Sequence, residues 1–243
     1  MTGGPFNPQR SAIWQPEPMA GTSGVAVIGM PALTIAGSTV TARTPALTNE
    51  VTRSTRLGYV SGGGAGSIMT WRHPTPWVAK AASGIGGFRL LYRFAITDPA
   101  PVATARMFIG LRATGSAWTN VEPDSETNLF GIGHNSGDAT WQVYSAGSAA
   151  QARTDTGMAI ETGSAVYEVV LTSPGQESAL FWAIRRLDGE GLGYAAGSLT
   201  SSSSSVRLQG GTLLSPINAF RSNGSTAAAV AVDLFFLQME TPL

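Results

Sequence analysis

Two histidines, one loop rich in carboxylates and a few tryptophans are the side chains with which this chain could do chemistry. His134 stands in the run Gly133-His-Asn-Ser-Gly-Asp138, so an imidazole, the Asn135 amide and the Asp138 carboxylate fall close together. Such a set can frame a small polar pocket or offer oxygen ligands to a hard cation. The same residue types close a tight turn, because Asn and Asp bond their own backbone and Gly accepts positive φ. The turn reading weighs more, and no metal is assigned. His73 precedes Pro74, which makes its backbone extended, and it is read as a surface residue. Glu122-Pro-Asp124-Ser-Glu126 has the letters of an acid and base pair for glycoside hydrolysis, but it lies in a loop, whereas the chemistry needs two carboxylates at a fixed spacing. No Gly-x-Ser-x-Gly elbow opens a helix, and Ser61–Gly66 lacks the Lys and Ser/Thr of a phosphate-cradling loop. No catalytic residue and no cofactor is therefore assigned. Trp118, in Thr114-Gly-Ser-Ala-Trp-Thr-Asn120, follows no strand phase and is the candidate for an exposed stacking contact with a sugar. Burial in the core or at a subunit interface weighs more for it. The ligand candidates are Trp118, His134, Asn135 and Asp138.

The elements around these residues read as β-strands. Asn120–Tyr144 is strand, turn, strand, with Leu129, Phe130 and Ile132 before the turn and Trp141, Val143 and Ala146 resuming the apolar phase after it. Phe88–Ile96 places Phe88, Leu90, Tyr92, Phe94 and Ile96 on one face, the clearest amphipathic strand in the chain. Further strands are expected over Val25–Ile28, Ser38–Thr44, Val51–Val60, Ile68–Arg72, Ala105–Arg112, Gln151–Thr156, Tyr167–Thr172, Ala179–Leu187, Leu192–Leu199, Leu213–Phe220 and Ala227–Leu237. Strands at intervals of about 8–12 residues with turn chemistry between them specify an all-β antiparallel sandwich of jelly-roll or lectin-like type. Phe88, Leu90, Phe94, Trp182 and Val232 are its expected core.

Composition narrows the class. Charged residues make up 12% of the 243 residues, about half the average for a soluble domain. The apolar 43% alternates with polar residues, which separates the chain from a disordered one. Net charge is zero with no basic patch, so nucleic-acid binding is not expected. Of the basic residues, Lys80 is the single lysine and the rest are arginine. That bias suits either codon usage or planar contacts at buried surfaces. Cysteine is absent, no apolar run reaches about 18 residues, and the first residues do not read as a signal peptide. No membrane span is expected.

The runs Thr119-Asn-Val-Glu-Pro123 and Thr127-Asn-Leu-Phe-Gly-Ile-Gly-His-Asn-Ser-Gly-Asp138, followed by an alternating strand, resemble the C-terminal head domain of phage tail-fibre and tail-associated proteins. So does Leu213–Thr241, where Phe220-Arg-Ser-Asn-Gly224 leads into an Ala/Val-rich last strand with Asp233. The resemblance covers about residues 88–241. It implies a virion protein of the phage tail, made in the host cytoplasm, non-enzymatic, trimeric, and presenting a β-sandwich for host attachment. A sugar-binding adhesin that recognises host glycan, a capsid decoration protein and a glycan-degrading enzyme are the other readings.

Residues 1–24 carry prolines and glycines without periodicity and read as an extended arm, with residues 25–243 as one sandwich domain. Proline removes donors and blocks pairing, so the arm is expected to stay off the sandwich. It would dock on other tail or baseplate proteins through Phe6, Ile13 and Trp14.

Overall fold

The computed structural model describes residues 11–14, 34–46, 48–49, 51–73, 76, 78–80, 86–149, 152–163, 165–175, 179–187, 193–200, 208 and 210–242. Its strands, in chain order, are β1 Ser11–Trp14, β2 Thr34–Ala36, β3 Ser38–Arg43, β4 Arg56–Ser61, β5 Ile68–Arg72, β6 Val78–Ala79, β7 Phe88–Ile96, β8 Arg106–Arg112, β9 Leu129–His134, β10 Thr140–Ala146, β11 Ala152–Ala159, β12 Tyr167–Ser173, β13 Leu180–Arg186, β14 Tyr194–Leu199, β15 Leu213–Ser222 and β16 Ala231–Pro242. They form two antiparallel sheets that pack as a sandwich. The first has the order β14-β13-β12-β7-β16-β4-β3 with β1 also on β16; the second has the order β11-β10-β9-β8-β15-β5-β2 with β6 also on β15. Among the described residues no helix is long and apolar enough to cross a membrane.

Alternation dictates the layers. In β7 the residues Phe88, Leu90, Tyr92, Phe94 and Ile96 are all buried and face the second sheet. Phe94 packs edge-on against Trp141 at 5.3 Å, and Trp141 meets Tyr167 at 5.1 Å. The Tyr92 hydroxyl donates to the Ile109 carbonyl at 2.9 Å, tying the two sheets through a buried polar atom that would otherwise be unpaired. The five expected core residues are buried. Gly37 makes the corner between β2 in one sheet and β3 in the other. Its φ is +70°, and a Cβ there would lie 2.0 Å from the Ile68 carbonyl oxygen, so only glycine fits.

Three expectations change. His73, read as a surface residue, is buried. The hairpin's phase is Trp141 and Val143 inward, with Tyr144 and Ala146 on the opposite face; both faces are buried. Ala146 belongs with Tyr144 because the strand alternates without a break from Gln142 to Ala146. The arm does not stay wholly off the sandwich: Ser11–Trp14 pair antiparallel with Met239–Pro242. The prolines at 5, 8, 16 and 18 flank this stretch and none falls inside it, so all four residues keep their backbone donors. Phe6 and the expected strand Val25–Ile28 lie outside the described residues, and of Ile13 and Trp14 the backbone alone is described.

Candidate functional site

The outer face of the second sheet is where the sequence candidates gather. β8 points Arg106, Phe108 and Arg112 to this face, β15 points Asn218, Phe220 and Ser222, and β10 points Gln142 and Tyr144, as the register requires. Gly131, opposite Gly110, makes room for the Phe108 ring: a Cβ at Gly131 would lie 2.5 Å from Phe108 Cζ. The segment Ala113–Asn128 crosses over this face. Trp118 stacks on Phe220 at 4.3 Å with 24° between the planes and lies 5.2 Å from Phe108. The Arg112 guanidinium covers its ring at 4.2 Å. Its Nε1–H donates to Asn218 Oδ1, while Asn218 Nδ2 donates to the Thr114 carbonyl at 2.8 Å. Trp118 is 3% exposed, so it is no exposed sugar platform; the burial reading, which weighed more from sequence, describes it.

The carboxylates of the same segment clasp it to the β9–β10 turn. Glu122 accepts from Ser136 N at 2.9 Å and pairs with Arg106 at 3.2 Å. Asp124 accepts from Asn135 Nδ2. Asp138 accepts from Asn135 N at 2.8 Å and from Arg153 at 3.2 Å, and Asn135 Oδ1 accepts from the Tyr144 hydroxyl at 2.9 Å. Glu126 pairs with Arg112. The structure thus brings Asn135 and Asp138 together, with Gly137 at φ +84° closing the turn. Each acid already meets a cation or a donor. Among the described residues no three His, Asp or Glu side chains converge as a bound metal ion requires.

His134 sits apart, at the inner end of β9. Arg221 Nη1 donates to its Nε2 at 3.0 Å. Guanidinium cannot accept, so the imidazole is neutral and its proton is on Nδ1, where it donates to the Asn135 carbonyl at 3.0 Å. Burial and the Arg221 charge bring its pKa down to about 3, against a smaller upward pull from the Asn135 carbonyl. Arg221 in turn pairs with Asp98, which also accepts from Ala231 N at 2.6 Å. A histidine with both nitrogens occupied and a lowered pKa is not set up to act as a general base near neutral pH. Sequence reading did not flag the ion pairs Asp98–Arg221 and Arg106–Glu122; the one trace was the predominance of Arg over Lys, which suits planar, buried pairing.

A concavity of about 260 Å³ opens where the edge strand of one sheet meets the edge strand of the other. β11 supplies Thr156–Ala159, Glu161 follows it, and β13–β14 supply Arg186 and Gly193–Ala195. Glu161 and Arg186 pair across it, with side chains 38% and 28% exposed. Tyr194, opposite Arg185 at the start of β14, is 68% exposed. Sequence reading assigned Tyr194 to a strand of small residues and gave it no role.

No family model matches the chain, and no curated protein matches it. Solved structures do. Peanut lectin aligns over 95% of this chain and 97% of its own at 12% identity with a TM-score of 0.56. Arcelin-5, a lectin-like defence protein of Phaseolus vulgaris, aligns over 95% and 98% at 9% identity and 0.56. A carbohydrate esterase of the Shiga toxin-encoding bacteriophage phi24B aligns over 86% and 89% at 15% identity and 0.51. At such identities the likeness is one of fold, and it establishes that this chain is a lectin-like antiparallel β-sandwich.

Proposed function

We propose that the chain is a non-enzymatic, carbohydrate-binding head of a phage virion, part of a tail fibre or tail tip, that presents its sandwich to the host surface. The observation that carries the non-enzymatic part is the commitment of the loop acids. Glu122, Asp124, Glu126 and Asp138 each meet an arginine or an amide donor, and His134 is held neutral between Arg221 and a carbonyl. These groups hold a loop in place; they are not poised for proton transfer. Support for carbohydrate binding comes from the lectin-like fold, and support for the phage tail from the resemblance over residues 88–241. Assembly as a homo-oligomer, a trimer by that resemblance, belongs to the same reading, as does attachment through the N-terminal residues. A capsid decoration protein would differ in attachment point alone.

The test has two arms. Purified full-length protein is incubated with host surface polysaccharide; retention on the polysaccharide without release of reducing ends or of acyl groups is the expected result. Turnover that Glu122→Gln or Glu126→Gln abolishes would overturn the non-enzymatic reading. In phage particles, deletion of residues 2–8 spares β1 and is expected to give a folded sandwich that no longer joins the particle. Incorporation at the normal level would place attachment on the sandwich.

A further inference from the structure

The outer face of the first sheet holds a concavity of about 290 Å³, on the side of the sandwich away from the loop clasp. Its floor is made by a β-bulge in β16. The register against β7 shifts between Leu234 and Phe236, so Phe235 is an extra residue with no partner on β7. Leu234 and Leu237 both reach the core, and Phe235 and Phe236 both line the concavity. A regular strand would send one of these two rings inward. One wall is Val166 and Leu187, joined by the Leu187 N–H, which donates to the Val166 carbonyl at 2.8 Å. The opposite wall is residues 53–55. It is held down by Val51, which is buried against Ala95 and Val166, and by Arg56 Nη1, which donates to the Ser54 carbonyl at 3.2 Å and the Thr52 carbonyl at 3.4 Å. Arg93 stands at the rim, opposite Phe236 on one neighbouring strand and Glu168 on the other, so rim and floor face the same side of the sheet.

The polar groups of this concavity are of one kind. Its described lining holds the guanidinium groups of Arg53 and Arg93 and the hydroxyls of Ser54 and Thr55, and no carboxylate. The nearest acids are each shared by two arginines: Glu168 by Arg93 and Arg185, Asp233 by Arg43 and Arg56. Each trio keeps one positive charge, in a chain whose net charge is zero. Arg93 holds Glu168 through Nε at 2.6 Å and lies over the Phe236 ring at 5.4 Å, with its side chain 42% exposed. Anchored on two sides, its fork is set for a planar anionic acceptor, which it can bind at little further cost in side-chain freedom. The floor and one wall are apolar, and the other wall carries hydroxyls. A carboxylated pyranose matches all three: a C–H face for the phenylalanines, hydroxyls for Ser54 and Thr55, and a carboxylate for arginine. An acidic peptide side chain would use the arginine alone. At about 290 Å³ the concavity lies at the lower end of ligand pockets, roughly 300–1,000 Å³, and suits one sugar unit.

We propose that this concavity is the saccharide site of the chain and takes a carboxylated sugar unit, with Arg93 on the carboxylate, Ser54 and Thr55 on ring hydroxyls, and the Phe235–Phe236 bulge beneath the ring. It rests on the carbohydrate-binding reading above, to which it gives a place and a ligand class.

Saturation-transfer NMR and titration on the full-length protein test it, with the methyl glycosides of glucuronate, galacturonate and a sialic acid, the neutral methyl glucoside and galactoside, and a capped Glu-Phe-Glu tripeptide as probes. Expected are binding of at least one carboxylated glycoside and, for its neutral counterpart, binding weaker by about tenfold or more, the loss of one charge-assisted contact. Arg93→Gln is expected to weaken the carboxylated glycoside by a similar factor, and Ser54→Ala, at an exposed position, to weaken it severalfold at an unchanged thermal midpoint. Arg89→Gln is the control: Arg89 lies on the same face, pairs with Glu240 at 3.2 Å and is two residues from Arg93 along β7, and its loss should leave binding as it is. If Arg93→Gln melts early, Ser54→Ala and Arg89→Gln carry the test. No carboxylated glycoside bound, equal binding of the neutral counterparts, tighter binding of the tripeptide, or Arg89→Gln as damaging as Arg93→Gln would overturn the proposal. A parallel retention assay on host polysaccharide separates the two readings: polysaccharide held at the wild-type level by Arg93→Gln and Ser54→Ala removes this site and leaves the carbohydrate-binding function standing, whereas no retention by wild-type protein removes both.

Discussion

The outer faces of the two sheets are treated in opposite ways. The second sheet is roofed by its own chain: Trp118 lies on Phe108 and Phe220, and salt bridges from Arg106 and Arg112 hold the rim of the roof. The first sheet, among the described residues, carries side-chain rows across its middle strands. Arg93, Glu168 and Arg185 stand opposite one another on β7, β12 and β13, with ion pairs of 2.6 Å on both sides of Glu168. One row along, Leu91 and Val170 are opposite each other and partly exposed. Arg93 also lies over the Phe236 ring at 5.4 Å. A face closed by aromatic stacking depends on a few large side chains; a face finished with ion pairs depends on many small, water-screened terms. The two faces should therefore respond very differently to substitution.

The largest difference is expected at Trp118. Removing it takes away the stacking on Phe220 and Phe108, bares the layer beneath, and leaves Asn218 Oδ1 without its indole donor. Trp118→Ala should lower stability by about 3–5 kcal/mol, read from urea denaturation with an unchanged slope. A loss below about 1 kcal/mol would mean that the loop does not roof the sheet in solution.

Acid should next separate the sandwich interior from the ion-paired face. His134 is neutral in the folded chain and has an ordinary pKa of about 6.5 when unfolded. Between about pH 6.5 and 3 the unfolded chain holds a proton that the folded chain excludes, so stability falls as pH falls through this window. At pH 5 the loss from this group is about 2 kcal/mol. Glu168 behaves otherwise. Burial pushes its pKa up, but hydrogen bonds and charge from Arg185 and Arg93 outweigh this and hold it below the usual range. Its contribution is present above the unfolded carboxylate value of about 4.3 and is lost below it. Chemical denaturation at pH 7 and pH 5 is expected to show the His134 loss, and His134→Gln, which keeps an acceptor for Arg221, should flatten it. A slope unchanged by His134→Gln would assign the loss elsewhere.

Legibility in the sequence follows the same physics. Ile68–Arg72 and Phe88–Ile96 are strands over the expected residues, because alternation with a buried face sets the phase and Gly or Pro sets the ends. The lectin-like sandwich could be read from the repeat of such segments. Trp118 could not be placed, since its partners Phe108 and Phe220 come from two other strands and no local period links them. The loop acids had the letters of a catalytic pair, and what distinguishes a clasp from a catalytic pair is the arginines opposite, which are distant in sequence. Tyr194 was hidden for another reason. Its exposure comes from facing outward opposite Arg185 on the last strand of its sheet, a property of topology that strand pattern alone does not encode.

The smallest expected effect is at Leu91, and it is the one that probes the open face. Leu91 sits at the centre of the ion-paired face, opposite Val170 and Gln238, and is partly exposed. An arginine at this position can lay its methylenes over Val170 and keep its head in water, so Leu91→Arg should change stability by no more than about 0.5 kcal/mol. Trp118→Ala on the roofed face provides the contrast. A loss above about 2 kcal/mol would show that the face is covered in solution and that the two faces are less different than their side chains suggest. Light scattering on the same variant adds a second reading. If the homo-oligomer proposed above forms through this face, the added charge lowers its mass to that of a single chain while the fold persists; an unchanged oligomer mass moves the subunit contact to another surface and leaves the first sheet facing water.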